Sequence, residues 1–212
     1  MSPRPSPRRR PTGRAASGFV LLLLTTGAAQ AAPPTPGDGL FISPFGEPFR
    51  SQSGLADWFS GADSDRDGSV SPAEFRADGL RFLARLDTNR DGRVDGFENT
   101  AYENEVAPEI LPQSAVFRSD RPDGGGPAPR ARGLEGAASF GLLDEPQPVR
   151  GADLNYDGKI TEDEQSKAAA RRFALLDPEA TGRLSLSVLQ ARLKAREAPP
   201  AGVGRFFRRR PG

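Results

Sequence analysis

Residues 63–74 read DSDRDGSVSPAE, four carboxylates and three hydroxyls in twelve positions around one glycine. Aspartates stand at every second place, Asp63, Asp65 and Asp67, and Glu74 closes the run. Like charges this close repel by about 1 kcal/mol per pair at 4 Å in water, so the arrangement calls for a cation. A hard divalent ion takes six to eight oxygens at about 2.3–2.6 Å. Alternate side chains converge on one point when the chain curls, and a glycine at position 6 permits the sharp turn.

The pattern recurs. DTNRDGRVDGFE at 87–98, DLNYDGKITEDE at 153–164 and DPEATGRLSLSV at 177–188 align with it. Each has an oxygen-bearing residue at positions 1, 3 and 5, glycine at 6, an aliphatic residue at 8, and Ser, Thr or Asp at 9. Three of the four end in glutamate. Asp, Asn and Gly also mark ordinary solvated turns, but turns do not account for Glu74, Glu98 and Glu164 at one shared offset.

On these residues the chain resembles the EF-hand calcium-binding superfamily. The resemblance implies Ca2+ ligands at Asp63, Asp65, Asp67, Ser69, Ser71 and Glu74 in loop 1. It implies Asp87, Asn89, Asp91, Arg93, Asp95 and Glu98 in loop 2, and Asp153, Asn155, Asp157, Lys159, Thr161 and Glu164 in loop 3. Position 7 acts through its carbonyl, so Ser69, Arg93 and Lys159 carry any side chain; position 9 ligates directly or through water, and position 12 with both oxygens. Loop 4 departs from the pattern at Thr181 and Val188, which leaves Asp177, Glu179 and Thr181 as a weak or absent fourth site. The expected occupancy is about three ions.

The elements that position these loops follow from the same residues. Ser71, Asp95 and Thr161 stand three before Glu74, Glu98 and Glu164, the capping-box spacing, and Pro72 takes the favoured first helical position. Leu55, Trp58, Phe59 and Ala62 fall at helical spacing ahead of loop 1, with Trp58 read as core. Loops 1 and 2 begin 24 residues apart, as do loops 3 and 4, so only 12 residues separate consecutive loops. One helix must therefore both leave one loop and enter the next, over 71–86 and again over 161–176. A rod of that length, about 24 Å, keeps the loops at its ends from pairing with each other. Val70 is expected to meet Ile160 or Leu184 rather than Val94, unless Gly79 breaks the first rod.

The fold class is thus all-α, with helix-loop-helix repeats in two closely spaced pairs, at 51–107 and 146–197, forming a small bundle. A signal peptide is read over 1–31, from Arg8–Arg10 and Arg14 through an apolar run to a cleavage site near Ala31, which makes the protein periplasmic or secreted. Its removal leaves 24 basic against 28 acidic residues, an acidic chain unsuited to nucleic acid. The apolar run is shorter than the roughly 20 residues of a spanning helix, so no transmembrane helix is expected in the mature chain. Residues 32–50 form a Pro-rich segment with several aromatics, and 108–145 a Pro/Gly-rich linker, disordered over 118–133. Leu134 to Leu143 suit a short helix, and Pro146 and Pro148 deny loop 3 a regular incoming helix.

Histidine and cysteine are absent. That excludes disulfides, thiolate or imidazole metal sites and the hydrolase triads that need either residue, and no enzyme is expected. A generic GC-rich bacterial source is suggested by 26 arginines against three lysines. The function read here is calcium binding by an exported protein, as buffer, sensor or calcium-stabilised scaffold. Loop spacing and Pro178 also resemble the lanthanide-binding lanmodulin group, although Ser64, Thr88 and Leu154 depart from it. A third reading is calcium-dependent docking, in which the basic tail 198–212, with Phe206 and Phe207 among four arginines, meets an acidic protein partner or anionic lipid.

Overall fold

The computed structural model describes residues 39–111 and 134–197. The segment read as a signal peptide, the Gly/Pro/Arg-rich stretch at 118–133 and the basic tail lie outside the described residues. Among the described residues five α-helices carry the fold: α1 (Gly54–Ala62), α2 (Pro72–Leu86), α3 (Gly96–Ala101), α4 (Glu162–Leu176) and α5 (Leu186–Glu197). Six two-residue strands join them: β1 (Phe41–Ile42), β2 (Pro48–Phe49), β3 (Ser69–Val70), β4 (Arg93–Val94), β5 (Ile160–Thr161) and β6 (Leu184–Ser185). No described helix is long and apolar enough to cross a membrane.

The two rods are α2 and α4, each of 15 residues, or about 22 Å. All three helices that follow a glutamate-bearing loop start on a complete capping box: Ser71 with Glu74, Asp95 with Glu98, Thr161 with Glu164. Gly79 does not break α2. A Cβ at that position would stand 2.6 Å from the Phe45 ring, and the Gly79 carbonyl accepts a 3.0 Å hydrogen bond from Gln165 Nε2 of α4. The glycine is where an aromatic ring and the second rod approach the first.

Because the rods are stiff, the loops pair between halves. β3 runs antiparallel to β6 with Val70 opposite Leu184, and β4 to β5 with Val94 opposite Ile160. Loop 1 therefore pairs with loop 4 and loop 2 with loop 3, the arrangement that two antiparallel rods produce. The four strand aliphatics are all buried, each adding on the order of 1.5–3 kcal/mol of transfer free energy.

The Pro-rich segment and the end of the linker contribute much of the core. Residues 40–49 form a β1–β2 hairpin whose Leu40, Phe41, Ile42 and Phe45 are buried. Phe41 packs on Trp58, and Phe45 on Phe75, which in turn meets Phe173. Tyr102 donates a 2.9 Å hydrogen bond to the Gly46 carbonyl, at a turn where Gly46 has φ +101°. The short helix expected over 134–143 is reduced to one 3-10 turn, Gly136–Ser139. Gly136 starts that turn at φ +56°, and a Cβ on Gly141 would meet the Ile42 carbonyl at 3.0 Å. Ala137, Phe140, Leu142 and Leu143 nonetheless pack in the same cluster as the hairpin. Loop 3 is entered through a single 3-10 turn, Arg150–Ala152, since Pro146 and Pro148 cannot extend a helix.

Arg172 of α4 is fully buried. It donates to both Glu145 oxygens at 2.7 and 2.8 Å and to the Pro148 carbonyl, and its guanidinium lies over the Phe45 ring. One charge thus ties the second rod, the entry to loop 3 and the hairpin together, at a desolvation cost that the Glu145 pair must offset.

In an exposed helix Gly→Ala stabilises by about 1 kcal/mol. At Gly79 the added methyl meets the buried Phe45 ring, and overpacking of this kind costs about 1–3 kcal/mol. Gly79→Ala is expected to lower the urea midpoint of the metal-free protein, and an unchanged or higher midpoint would show that Phe45 is not held as described.

Candidate metal centres

Each loop begins where a helix stops. Asp63 N–H caps α1 at the Phe59 carbonyl, Asp87 N–H caps α2 at Leu83, and Asp177 N–H caps α4 at Phe173, each at 2.9–3.0 Å. The position-1 aspartate then accepts from the N–H groups of positions 5 and 6. The distances are 3.1 and 3.0 Å at Asp63, 3.1 and 2.8 Å at Asp87, 3.2 and 3.0 Å at Asp153, and 2.9 and 2.7 Å at Asp177.

In the first three loops the position-5 N–H is shared with position 3: Asp67 N–H with Asp65 at 3.0 Å, Asp91 N–H with Asn89 at 2.8 Å, Asp157 N–H with Asn155 at 2.9 Å. One shared donor draws the oxygens of positions 1 and 3 together. Position 5 in turn accepts from the N–H of position 7, from Ser69, Arg93 and Lys159 at 2.9, 3.2 and 2.9 Å. The curl needs a left-handed residue at position 4 as well as glycine at 6. Arg66, Arg90, Tyr156 and Ala180 take φ of 60°, 61°, 61° and 52°, beside Gly68, Gly92, Gly158 and Gly182 at 84°, 84°, 80° and 73°. Four non-glycine residues in this uncommon region at one offset show that the loops share a backbone, which their side chains at position 4 did not announce.

Position 12 closes each of the first three loops. Glu74 takes Ser64 N–H at 2.9 Å and Ser71 N–H at 2.9 Å on its two oxygens. Glu98 takes Thr88 at 2.8 Å and Asp95 at 3.1 Å, and Glu164 takes Leu154 at 3.2 Å and Thr161 at 3.0 Å. The glutamate assigned to position 12 and the reciprocal partner of the helix cap are one side chain. Hydrogen bonds from the Ser71 N–H and hydroxyl hold the Glu74 carboxyl down at about 2. At Glu164 burial pushes upward, yet the Thr161 N–H and hydroxyl and the Leu154 N–H bring the net shift down.

These observations test whether a hard cation suits the site. Carboxylate oxygens of Asp63, Asp65 and Asp67 all lie within 4.8 Å of one another, and the residues at positions 1, 3, 5, 9 and 12 of loops 1, 2 and 3 all carry side-chain oxygen. An all-oxygen set of carboxylates, amide carbonyls and hydroxyls matches calcium chemistry. Loops 1, 2 and 3 thus join positions 1, 3 and 5 through shared N–H donors, and hold position 12 against the N–H groups of positions 2 and 9.

Residues 55–79 match the family model described as EF hand. This segment is an EF hand. The match covers α1, loop 1 and the first half of α2, and loops 2 and 3 repeat the pattern of its backbone N–H donors at positions 2, 5, 6, 7 and 9. No curated protein sequence matches the chain.

Loop 4 is different. The Thr181 hydroxyl bridges Asp177 Oδ1 at 2.9 Å and the Arg183 carbonyl at 3.0 Å. It thereby occupies the position-7 carbonyl that would face an ion. Val188 is exposed at position 12, and Glu179 is exposed at position 3. The Asp177 carboxyl stays ionised: burial pushes its pKa up, but N–H groups of Thr181 and Gly182 and the Thr181 hydroxyl carry it below the ordinary value. Of the weak ligands, Asp177 and Thr181 are joined to each other and Glu179 stands apart.

Sequence reasoning missed Arg183. Its Nη1 donates to Asp67 Oδ2 at 2.6 Å and Ser69 Oγ at 2.8 Å, across the β3–β6 pair. The available signal was a basic residue at position 7 of a loop lacking its glutamate, beside an aliphatic that must pair with Val70.

The Glu74 carboxyl lies near 2 when folded, against about 4.3 in an unfolded chain. Its contacts therefore stabilise loop 1 fully above pH of about 4.3, and that contribution is lost as pH falls through the folded value. Carboxyl-carbon NMR in chelator should show Glu74 titrating well below pH 4, and Ser71→Ala should return it toward the ordinary range. A Glu74 midpoint near 4.3 in the unsubstituted protein would contradict the hydrogen-bonded ring.

Proposed function

We propose that this protein binds calcium at three sites, in loops 1, 2 and 3, and that the ions brace its fold. The supporting observation is the thrice-repeated ring in which one shared N–H draws positions 1 and 3 together and one glutamate spans both ends of the loop. In this reading the chain is exported, as its first 31 residues suggest, and is not an enzyme. Millimolar calcium outside the cytoplasm suffices for affinities of about 10⁻⁴–10⁻³ M, typical of extracellular modules.

Between buffer, sensor and scaffold, the packing favours the scaffold. A sensor presents an apolar groove when its loops fill. Here the apolar face of α2 and α4 around Phe75 and Phe173 is covered by Phe45 of the hairpin, and the hairpin is held down by Tyr102. Ions in loops 2 and 3 sit on a shared β4–β5 ladder, so each steadies a contact between the two rods. The lanthanide alternative leans on Pro178, which stands in the loop that Thr181 closes. Docking through the tail adds a partner without altering the metal sites.

Calorimetric titration of the mature chain should yield three ions. Glu74→Gln, Glu98→Gln and Glu164→Gln should each remove one, with Val188→Ala removing none. Saturation to a hundredfold above Kd should raise stability by about 2.7 kcal/mol per site, read as a higher urea midpoint. A stoichiometry below one, or glutamine variants that keep all sites, would overturn the assignment, and terbium outcompeting calcium by several orders of magnitude would favour the lanthanide alternative.

A further inference from the structure

Loop 4 keeps its shape through Thr181 and Asp177 and still delivers a cation to another loop. The register that sets Ser69 opposite Ser185 and Val70 opposite Leu184 carries Arg183, next in chain to Leu184, over loop 1. Its guanidinium holds Asp67 Oδ2 and the Ser69 hydroxyl, while the side chain remains 64% exposed. Burial does not lock the pair, so it can part when Asp67 gains a better partner.

The three glutamate-bearing loops differ in charge, and the arginines track the difference. Loop 1 sets carboxylates at four ligand positions, Asp63, Asp65, Asp67 and Glu74. Loop 2 also has four, Asp87, Asp91, Asp95 and Glu98, whereas loop 3 has three, Asp153, Asp157 and Glu164. Where there are four, an arginine sits on the position-5 acid: Arg93 Nε meets Asp91 Oδ2 at 3.2 Å from within loop 2, and Arg183 serves Asp67 from loop 4. Where there are three, the outer oxygen of Asp157 takes a neutral donor, Asn155 Nδ2, at 3.1 Å. Ser69 at position 7 of loop 1 carries no charge, and the paired loop supplies it.

We propose that loop 4 is an internal counter-cation for loop 1, with Arg183 relieving carboxylate repulsion in the metal-free state and opposing the ion in the loaded state. This rests on calcium binding in loop 1. A unit positive charge beside a bound divalent ion is repelled by it, and the penalty weakens with salt. Loop 1 consequently binds more weakly than its four carboxylates alone would dictate. Coupling is reciprocal, so an ion in loop 1 loosens Arg183 from Asp67.

The test is calcium titration of the full chain by calorimetry, with Glu98→Gln and Glu164→Gln installed to isolate loop 1 and repeated without them. Arg183→Gln should tighten the loop 1 site about five- to tenfold at low ionic strength, a gain that shrinks toward none near 1 M salt, where the Debye length is about 3 Å. Arg183→Lys, which keeps the charge, should remain near the unsubstituted affinity. The Arg183 side-chain N–H resonance should be protected from exchange in chelator and lose that protection as calcium fills loop 1. If the unsubstituted protein binds calcium and Arg183→Gln leaves loop 1 unchanged or weaker, the counter-cation role is wrong while the metal assignment stands. If the unsubstituted protein takes up no calcium, both fail.

Discussion

A helix cannot fold back on itself, and that stiffness governs this molecule. With only 12 residues between consecutive loops, the exit helix of one is the entry helix of the next, and the two loops are held a full rod apart. The N–H and C=O groups at positions 7 and 8 still need strand partners, as buried backbone must be paired. They find them on the other rod, which is why loop 1 meets loop 4 and loop 2 meets loop 3. The interleaving also dictates the core. Each β ladder is a bolt through one end of an antiparallel pair, and the apolar faces of α2 and α4 are pressed together between them.

The carboxylates belong to the same economy of parts. In each glutamate-bearing loop the residue that closes the curl also caps the following rod, so the electrostatics of the site and the start of the helix are one set of hydrogen bonds. Glu74 shows the consequence: N–H and hydroxyl donors from Ser71 hold its carboxyl well below the ordinary range. Loop 4 holds the same backbone with a threonine hydroxyl bridging positions 1 and 7. The two ends of the bundle are therefore unequal, one a ladder between two glutamate-closed loops and the other a ladder between such a loop and one closed by its own side chains.

Much of the site was legible because coordination and capping are local. Asp63, Asp87 and Asp153, their partners at positions 3 and 5, and the three glutamates can be read off fixed offsets, and rod length alone implied that Val70 would pair across the halves. What escaped was long-range. Phe45 and Phe41 lie in a Pro-rich stretch without periodicity, so nothing in their neighbourhood says that they fill the face of α2. Gly79 was the one residue that left a break in the first rod open, and it is instead the clearance for Phe45. Phe140, Leu142 and Leu143 sit between glycines and prolines that suit a linker, yet they are buried. Arg172 reads as one of many surface arginines, and only Glu145 and Pro148, held near it by the 3-D fold, make its burial tolerable.

By itself, the sequence determined the four curls, the oxygens that line three of them, the helices those curls begin, and the spacing that forbids neighbouring loops to pair. These depend on offsets of twelve residues or fewer, where backbone geometry leaves few choices. Tertiary structure alone decided that the hairpin covers the rods, that Arg172 lies inside, and that Arg183 rests on Asp67, 116 residues away in the chain. Contacts of that range depend on which surfaces remain apolar and unpaired after the local elements have formed, and no local pattern of residues encodes that remainder.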